Sequence, residues 1–229
     1  MKRVMARIAR TSRLRAMGMM LVAAAATARP AQAQQMFSFS FNAPGVGGTV
    51  VLTYGPATDA TYASAYEITG ITGKFFDTNN GLTIVGAPVG PLVPVTHDAP
   101  EPTNLLAPHD FSRFPVASGN PNGSLSFDNL FWPGGSPQTA SDYPFHGGFL
   151  DIYGLLFDIG GGRVVNIWSN GDFGGGPDYG VAVATSREAL DYVEGGVAIS
   201  VTPEPGSLLL LGSGLVGVVA WRRRRGARA

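Results

Sequence analysis

The sequence predicts an all-β fold, an antiparallel β-sandwich or jelly roll, with an N-terminal signal peptide and a single C-terminal transmembrane helix. Three observations carry this expectation. Between Met36 and Val201 the chain falls into about nine or ten short apolar stretches bounded by turns rich in Gly and Pro, of which the chain holds 32 and 17, a spacing typical of sandwiches and barrels. No long helical pattern separates these stretches, so a parallel sheet with crossover helices is disfavoured. Both ends carry basic and apolar segments that the middle lacks.

The expected organisation is a signal peptide over 1–33, an exported domain over 34–202 and a C-terminal segment over 203–229 with an apolar helix over 206–221. Lys2 and five Arg form a basic start, Ala16 to Thr27 is free of charge, and Ala31 and Ala33 are the small residues that signal peptidase needs, so cleavage is expected after Ala33. This apolar stretch is shorter than the roughly 20 residues that span a bilayer. The domain then works outside the cytoplasm. With no Cys in 229 residues, it must stand on its apolar core or on bound ions.

The net charge of zero averages segments of opposite sign. All 16 acids lie between Asp59 and Glu204, together with only four bases, Lys74, Arg113, Arg163 and Arg187, which leaves the middle near −12. That sign disfavours nucleic acid and anionic lipid as partners and leaves cations, polar sugars and neutral surfaces open.

Within the domain, Phe37-Ser38-Phe39-Ser40-Phe41 alternates apolar and polar residues, placing three rings on one face of a strand. Val50–Tyr54, Tyr62–Thr72 and Lys74–Phe76 continue in this style, and Asp77-Thr78-Asn79-Asn80-Gly81 turns the chain into Leu82–Val85. Residues 86–122 hold eight Pro, which remove backbone donors, so a long surface loop is expected there in place of a regular ladder. Strands resume at Ser124–Trp132, Gly148–Asp158, Arg163–Ser169, Gly180–Thr185 and Gly196–Val201. Ser186–Val193 reads equally as a short helix capped by Ser186 or as a turn.

At the C terminus, Pro203-Glu204-Pro205 precedes 16 uncharged residues, Gly206–Trp221, and then Arg222, Arg223, Arg224 and Arg225. Sixteen residues are short for a bilayer, though snorkelling Arg and an interfacial Trp extend them. The Arg cluster keeps the cytoplasmic side and the domain faces outward.

This three-part ending resembles the PEP-CTERM sorting signal of Gram-negative bacteria that make exopolysaccharide. The resemblance implies an exosortase, a membrane-embedded cysteine transpeptidase, as partner. It also implies cleavage near Pro203 to Pro205 and delivery to the cell surface or exterior. The segments Phe127-Asp128-Asn129-Leu130-Phe131 and Val165–Asn170 also look like middle segments of PEP-CTERM proteins, which have no assigned activity as a class.

No nucleophile elbow, zinc-protease helix, phosphate-binding Gly loop or Cys nucleophile occurs, so no catalytic residue is assigned. His97-Asp98 and His109-Asp110 carry metal-ligating chemistry, but neighbours on an extended chain point opposite ways. Asp151 and Asp158 stand at the two ends of one expected strand, too far apart for glycoside hydrolysis. Calcium is the one candidate cofactor, on Asp77 and Asn79 and on Asp172 and Asp178, where hard oxygens sit on Gly-bent turns. The same residues are ordinary turn formers. Trp132, beside Pro-Gly-Gly, and Tyr179, in a Gly-rich turn, are expected to be partly exposed and able to stack on polysaccharide. The expected role is a non-enzymatic structural or binding protein in an exopolysaccharide-rich envelope, with a sandwich-fold carbohydrate-active hydrolase as the alternative.

Overall fold

The computed structural model describes residues 34–95, 105–110, 125–141 and 144–202. The signal segment with Ala31 and Ala33, the pair His97-Asp98, and the C-terminal segment with Pro203, Glu204, Pro205 and Arg222 to Arg225 lie outside these residues. The described residues form twelve strands and no α-helix: β1 (Gln35–Ala43), β2 (Val46–Thr58), β3 (Tyr66–Asp77), β4 (Ile84–Val89), β5 (Leu106–Pro108), β6 (Leu125–Phe127), β7 (Leu130–Phe131), β8 (Leu155–Gly160), β9 (Arg163–Asp172), β10 (Pro177–Ala184), β11 (Ala189–Val193) and β12 (Ala198–Thr202). No helix among them is long and apolar enough to cross a membrane.

Two antiparallel sheets hold most of the chain. One runs β12-β1-β2-β3-β4 with β7 added to β3, and the other runs β11-β10-β9-β8. The alternation read in β1 is met directly: Phe39 and Phe41 are buried and Ser38 and Ser40 alternate with them. Phe39 and Phe41 share one core with Val50, Leu52 and Phe75 of the first sheet and with Leu155, Phe157, Val165, Ile167, Val181 and Val183 of the second. Gly48 faces Phe41 across the ladder, and a Cβ there would stand 2.9 Å from that ring.

The two sheets read differently in sequence because their surroundings differ. The outer face of the β1 sheet is polar, whereas β8, β9 and β10 are buried in almost unbroken runs, as strands covered on both faces are. Their second cover is a cluster in which Leu156, Trp168 and Ala182 meet Leu105, Leu125, Phe127 and Ile152.

Part of this cover comes from the described residues of the Pro-rich segment, which hold short strands where the sequence suggested a surface loop. Pro88 sits within β4 opposite Lys74, tolerated because β4 is an edge strand. Leu92 bridges to Phe157, and β5 pairs with β6 in parallel, an exception to the antiparallel rule. Leu105 and Ala107 are buried. Apolar residues between the prolines drive this burial, because the outer face of the β8 sheet would otherwise stand open. Ser186–Val193 is not a helix either: Thr185 Oγ1 accepts the N–H groups of Arg187 (3.2 Å) and Glu188 (3.0 Å) in a tight turn, and β11 then pairs with β10.

Candidate functional site

Asp128 and Asp151 form the least expected polar feature of the molecule. Asp128 follows β6, and its Oδ1 accepts the N–H of Leu130 at 3.0 Å. Asp151 precedes β8, and its Oδ1 accepts the N–H groups of Tyr153 and Gly154, each at 3.0 Å. Both side chains are buried, 4% and 1% exposed, and neither Oδ2 has a hydrogen-bond partner. Asp151 lies close enough for its charge to act on Asp128. Burial first, and then the negative charge of Asp151, raise Asp128 well above the usual carboxylate range.

Asn129 locks the pair in place. It holds a left-handed backbone (φ 56°), its Oδ1 accepts the Leu156 N–H at 2.9 Å, and its Nδ2 donates to the Val93 carbonyl at 2.8 Å. The N–H groups of Asp128 and Asn129 both donate to the Gly154 carbonyl. Asn166 ties in β9 by donating to the Ser126 carbonyl at 3.2 Å, so the two segments Phe127–Phe131 and Val165–Asn170 come together. Nearby, a cleft of about 470 Å³ is lined by Asp59, Glu67, Leu92, His109, Asp128 and Asn129. Burial and the charges of Asp151, Asp128 and Asp59 all raise the Tyr62 phenol.

The acids singled out for calcium are engaged internally. Asp77 Oδ1 accepts the Asn79 N–H at 2.8 Å. The Asn79 and Asn80 amides both donate to Asp191, at 2.9 Å each. Burial first, and then the charge of Asp191, push the Asp77 carboxyl up to about 6. Asp172 Oδ1 accepts from Gly174 (2.7 Å) and Gly176 (3.1 Å), while Asp178 accepts from Gly196 (2.7 Å) and Asn170 (3.0 Å). The carboxyls of Asp172 and Asp178 thus cap separate turns. Among the described residues no three His, Cys, Asp or Glu side chains gather as metal ligands. His109 packs edge-on against Tyr153, and His146 Nδ1 lies 2.9 Å from the Pro144 carbonyl.

The expected stacking residues are both corrected. Trp132 is fully buried, its ring 5.2 Å from that of Tyr62 in a small cluster with Ala65 and Leu130. The Pro-Gly-Gly turn does not expose it, because the chain folds back: the Trp132 N–H donates to the Phe149 carbonyl and the Ser136 N–H to that of Gly148. Tyr179 is 3% exposed. It alternates with Val181 and Val183 on the core face of β10, stacks 5.0 Å from Phe149 and accepts the Phe149 N–H at 3.1 Å. Burial pushes its phenol up to about 12.

Sequence reasoning paired Asp151 with Asp158, whose Oδ1 accepts the Gly160 N–H, and missed Asp128. The available signal was a polar Asp-Asn step inside the apolar run Phe127–Phe131.

The described chain ends at Thr202, paired with Ser38, and the stretch that begins beside it is diagnostic. The chain carries a PEP-CTERM protein-sorting motif. The match spans residues 201–225 and covers the Pro-Glu-Pro step, the apolar stretch and the Arg cluster. The PEP-CTERM motif supports export and sorting by exosortase. No curated protein and no solved structure matches the chain.

Proposed function

We propose that this is a non-enzymatic, exported protein, held by its C-terminal segment and delivered by exosortase to an exopolysaccharide-rich cell surface, where its β domain has a structural or binding role. The observation that carries the reading is the PEP-CTERM motif at 201–225. The engagement of aspartates by internal N–H donors supports the non-enzymatic half. The hydrolase alternative needs two carboxyls about 5 to 9.5 Å apart across a cleft. Asp128 and Asp151 are both buried, and each Oδ1 is taken by backbone N–H groups.

Two measurements test this. An epitope tag placed after Arg225 should be missing from the surface fraction while an antibody to the β domain still detects the protein. Retention of the tag at full length on the surface counts against processing. The full chain in detergent should release no reducing ends from a panel of polysaccharides, and release that disappears in Asp128→Asn establishes the hydrolase instead.

A further inference from the structure

The outer face of the β1 sheet carries a second feature that the sorting motif does not explain. Across the ladder, Ser200, Ser40, Thr49 and Lys74 form one row, and Ala198, Asn42, Gly47 and Phe76 form the next. Rows lie along strands that are about 4.8 Å apart, and alternate residues share the face. Ser40 and Thr49 hydroxyls are 3.1 Å apart. Phe76 lies against Gly47: a Cβ on that glycine would stand 2.9 Å from Cζ of the ring. The ring remains 36% exposed, so one side is supported by backbone and the other is open. Between these rows runs a shallow trough of about 300 Å³, lined by Ser40, Asn42, Thr49, Lys74, Phe76 and Gly86.

Lys74 gives the trough its sign. Its ammonium has a long contact, 3.5 Å, with the Gly86 carbonyl, and it is the one base in a trough on a domain with a large excess of acid. A supported aromatic ring binds the apolar face of a flat ring ligand. Hydroxyl and amide groups beside it exchange hydrogen bonds with ligand hydroxyls, and an ammonium attracts a carboxylate. The ligand class that presents all three chemistries together is a saccharide bearing a carboxylate.

We propose that this trough binds a uronic-acid unit of an acidic polysaccharide, with the sugar face on Phe76, its hydroxyls on Ser40, Asn42 and Thr49, and its carboxylate on Lys74. The assignment rests on the binding role proposed above and names the ligand class and the site. It replaces Trp132 and Tyr179, which are buried, with an aromatic that the sequence pattern did not single out.

The test is titration calorimetry on the full chain in detergent, with a hexamer of galacturonic acid as probe and cellohexaose as the neutral control. Binding of the acidic hexamer at least tenfold tighter than the neutral one is expected. Phe76→Ala should weaken both at least tenfold, and Lys74→Gln should remove the preference for the acidic hexamer while leaving the melting temperature unchanged. Wild-type affinity in both variants overturns the site but leaves a binding role elsewhere on the domain. Absence of binding to either hexamer by wild-type protein overturns the site. If the protein also fails to co-sediment with acidic polysaccharide, the binding role fails with it. Self-association that disappears in Phe76→Ala, without glycan binding, would assign the face to a second copy of the chain and overturn the proposal.

Discussion

Asp128 and Asp151 are neighbouring buried carboxyls, each anchored by its own Oδ1 and each with an Oδ2 that has no hydrogen-bond partner. Burial and the nearby Asp151 charge raise the Asp128 carboxyl well above the usual range, so its charged form is costly in the fold. An amide at position 128 keeps the oxygen that accepts from Leu130 and carries no charge. Asp128→Asn is therefore expected to melt at or above the wild-type temperature at pH 7.5. Asp151→Ala strands the N–H groups of Tyr153 and Gly154 and should cost about 2–4 kcal/mol in urea denaturation. The reverse order of stability would overturn this account of Asp128.

Asp77 supplies a pH dependence of known sign. Its carboxyl titrates near 6 in the folded protein because of burial and the neighbouring Asp191 charge, against about 3.9 in an unfolded chain. The folded state therefore binds more protons between these values. The stabilisation is fully present below about pH 4 and is lost as pH rises through about 6. Asp77→Asn carries no charge in this buried position at any pH. Its melting temperature should match wild type near pH 4.5 and exceed it by a few degrees at pH 7.5. A difference that stays constant over this range would show that Asp77 does not titrate there.

Calcium should not be needed for stability. Asp172 and Asp178 cap separate turns by accepting backbone N–H groups, and the Asp191 oxygens are filled by Asn79 and Asn80. Adding EDTA is expected to leave the melting temperature within about 1 °C. A fall of several degrees, restored by calcium, would place an ion on these turns.

Two glycines at the ends of β8, Gly154 just before it and Gly160 as its last residue, provide a matched pair. Gly154 has φ +78° and a Cβ there would stand 2.1 Å from the Ile167 carbonyl oxygen, whereas Gly160 has φ +82° and nothing within 4 Å. Both alanine substitutions strain the backbone by about 1–3 kcal/mol. Only Gly154→Ala adds the clash, so it should lose at least 2 kcal/mol more than Gly160→Ala in urea. Equal losses would mean that the loop before β8 can retreat from β9.

The β1 alternation, the turn at Asp77–Gly81 and the all-β class were legible because they depend on local pattern, with Phe39 and Phe41 on one side and Ser38 and Ser40 on the other. What β5 does was not, because its pairing with β6 depends on a distant apolar face of the β8 sheet. Trp132 and Tyr179 were misplaced for a related reason: a Gly-rich neighbourhood says that the chain turns, not which way the preceding ring points. The Asp128 partner of Asp151 stayed hidden because carboxyl pairs across loops leave no spacing to read. The sorting motif was legible in full, since its chemistry is consecutive in sequence.

The register of β12 on β1 has a geometric consequence. Thr202 lies opposite Ser38, close to the start of β1 at Gln35, while Ala43 and Val46 bound the turn at the other end of the sheet. Pro203 follows Thr202 without a spacer, and the expected export cut falls just before Gln34. Both ends of the described domain thus lie at one pole on neighbouring strands, with the Pro44-Gly45 turn at the other.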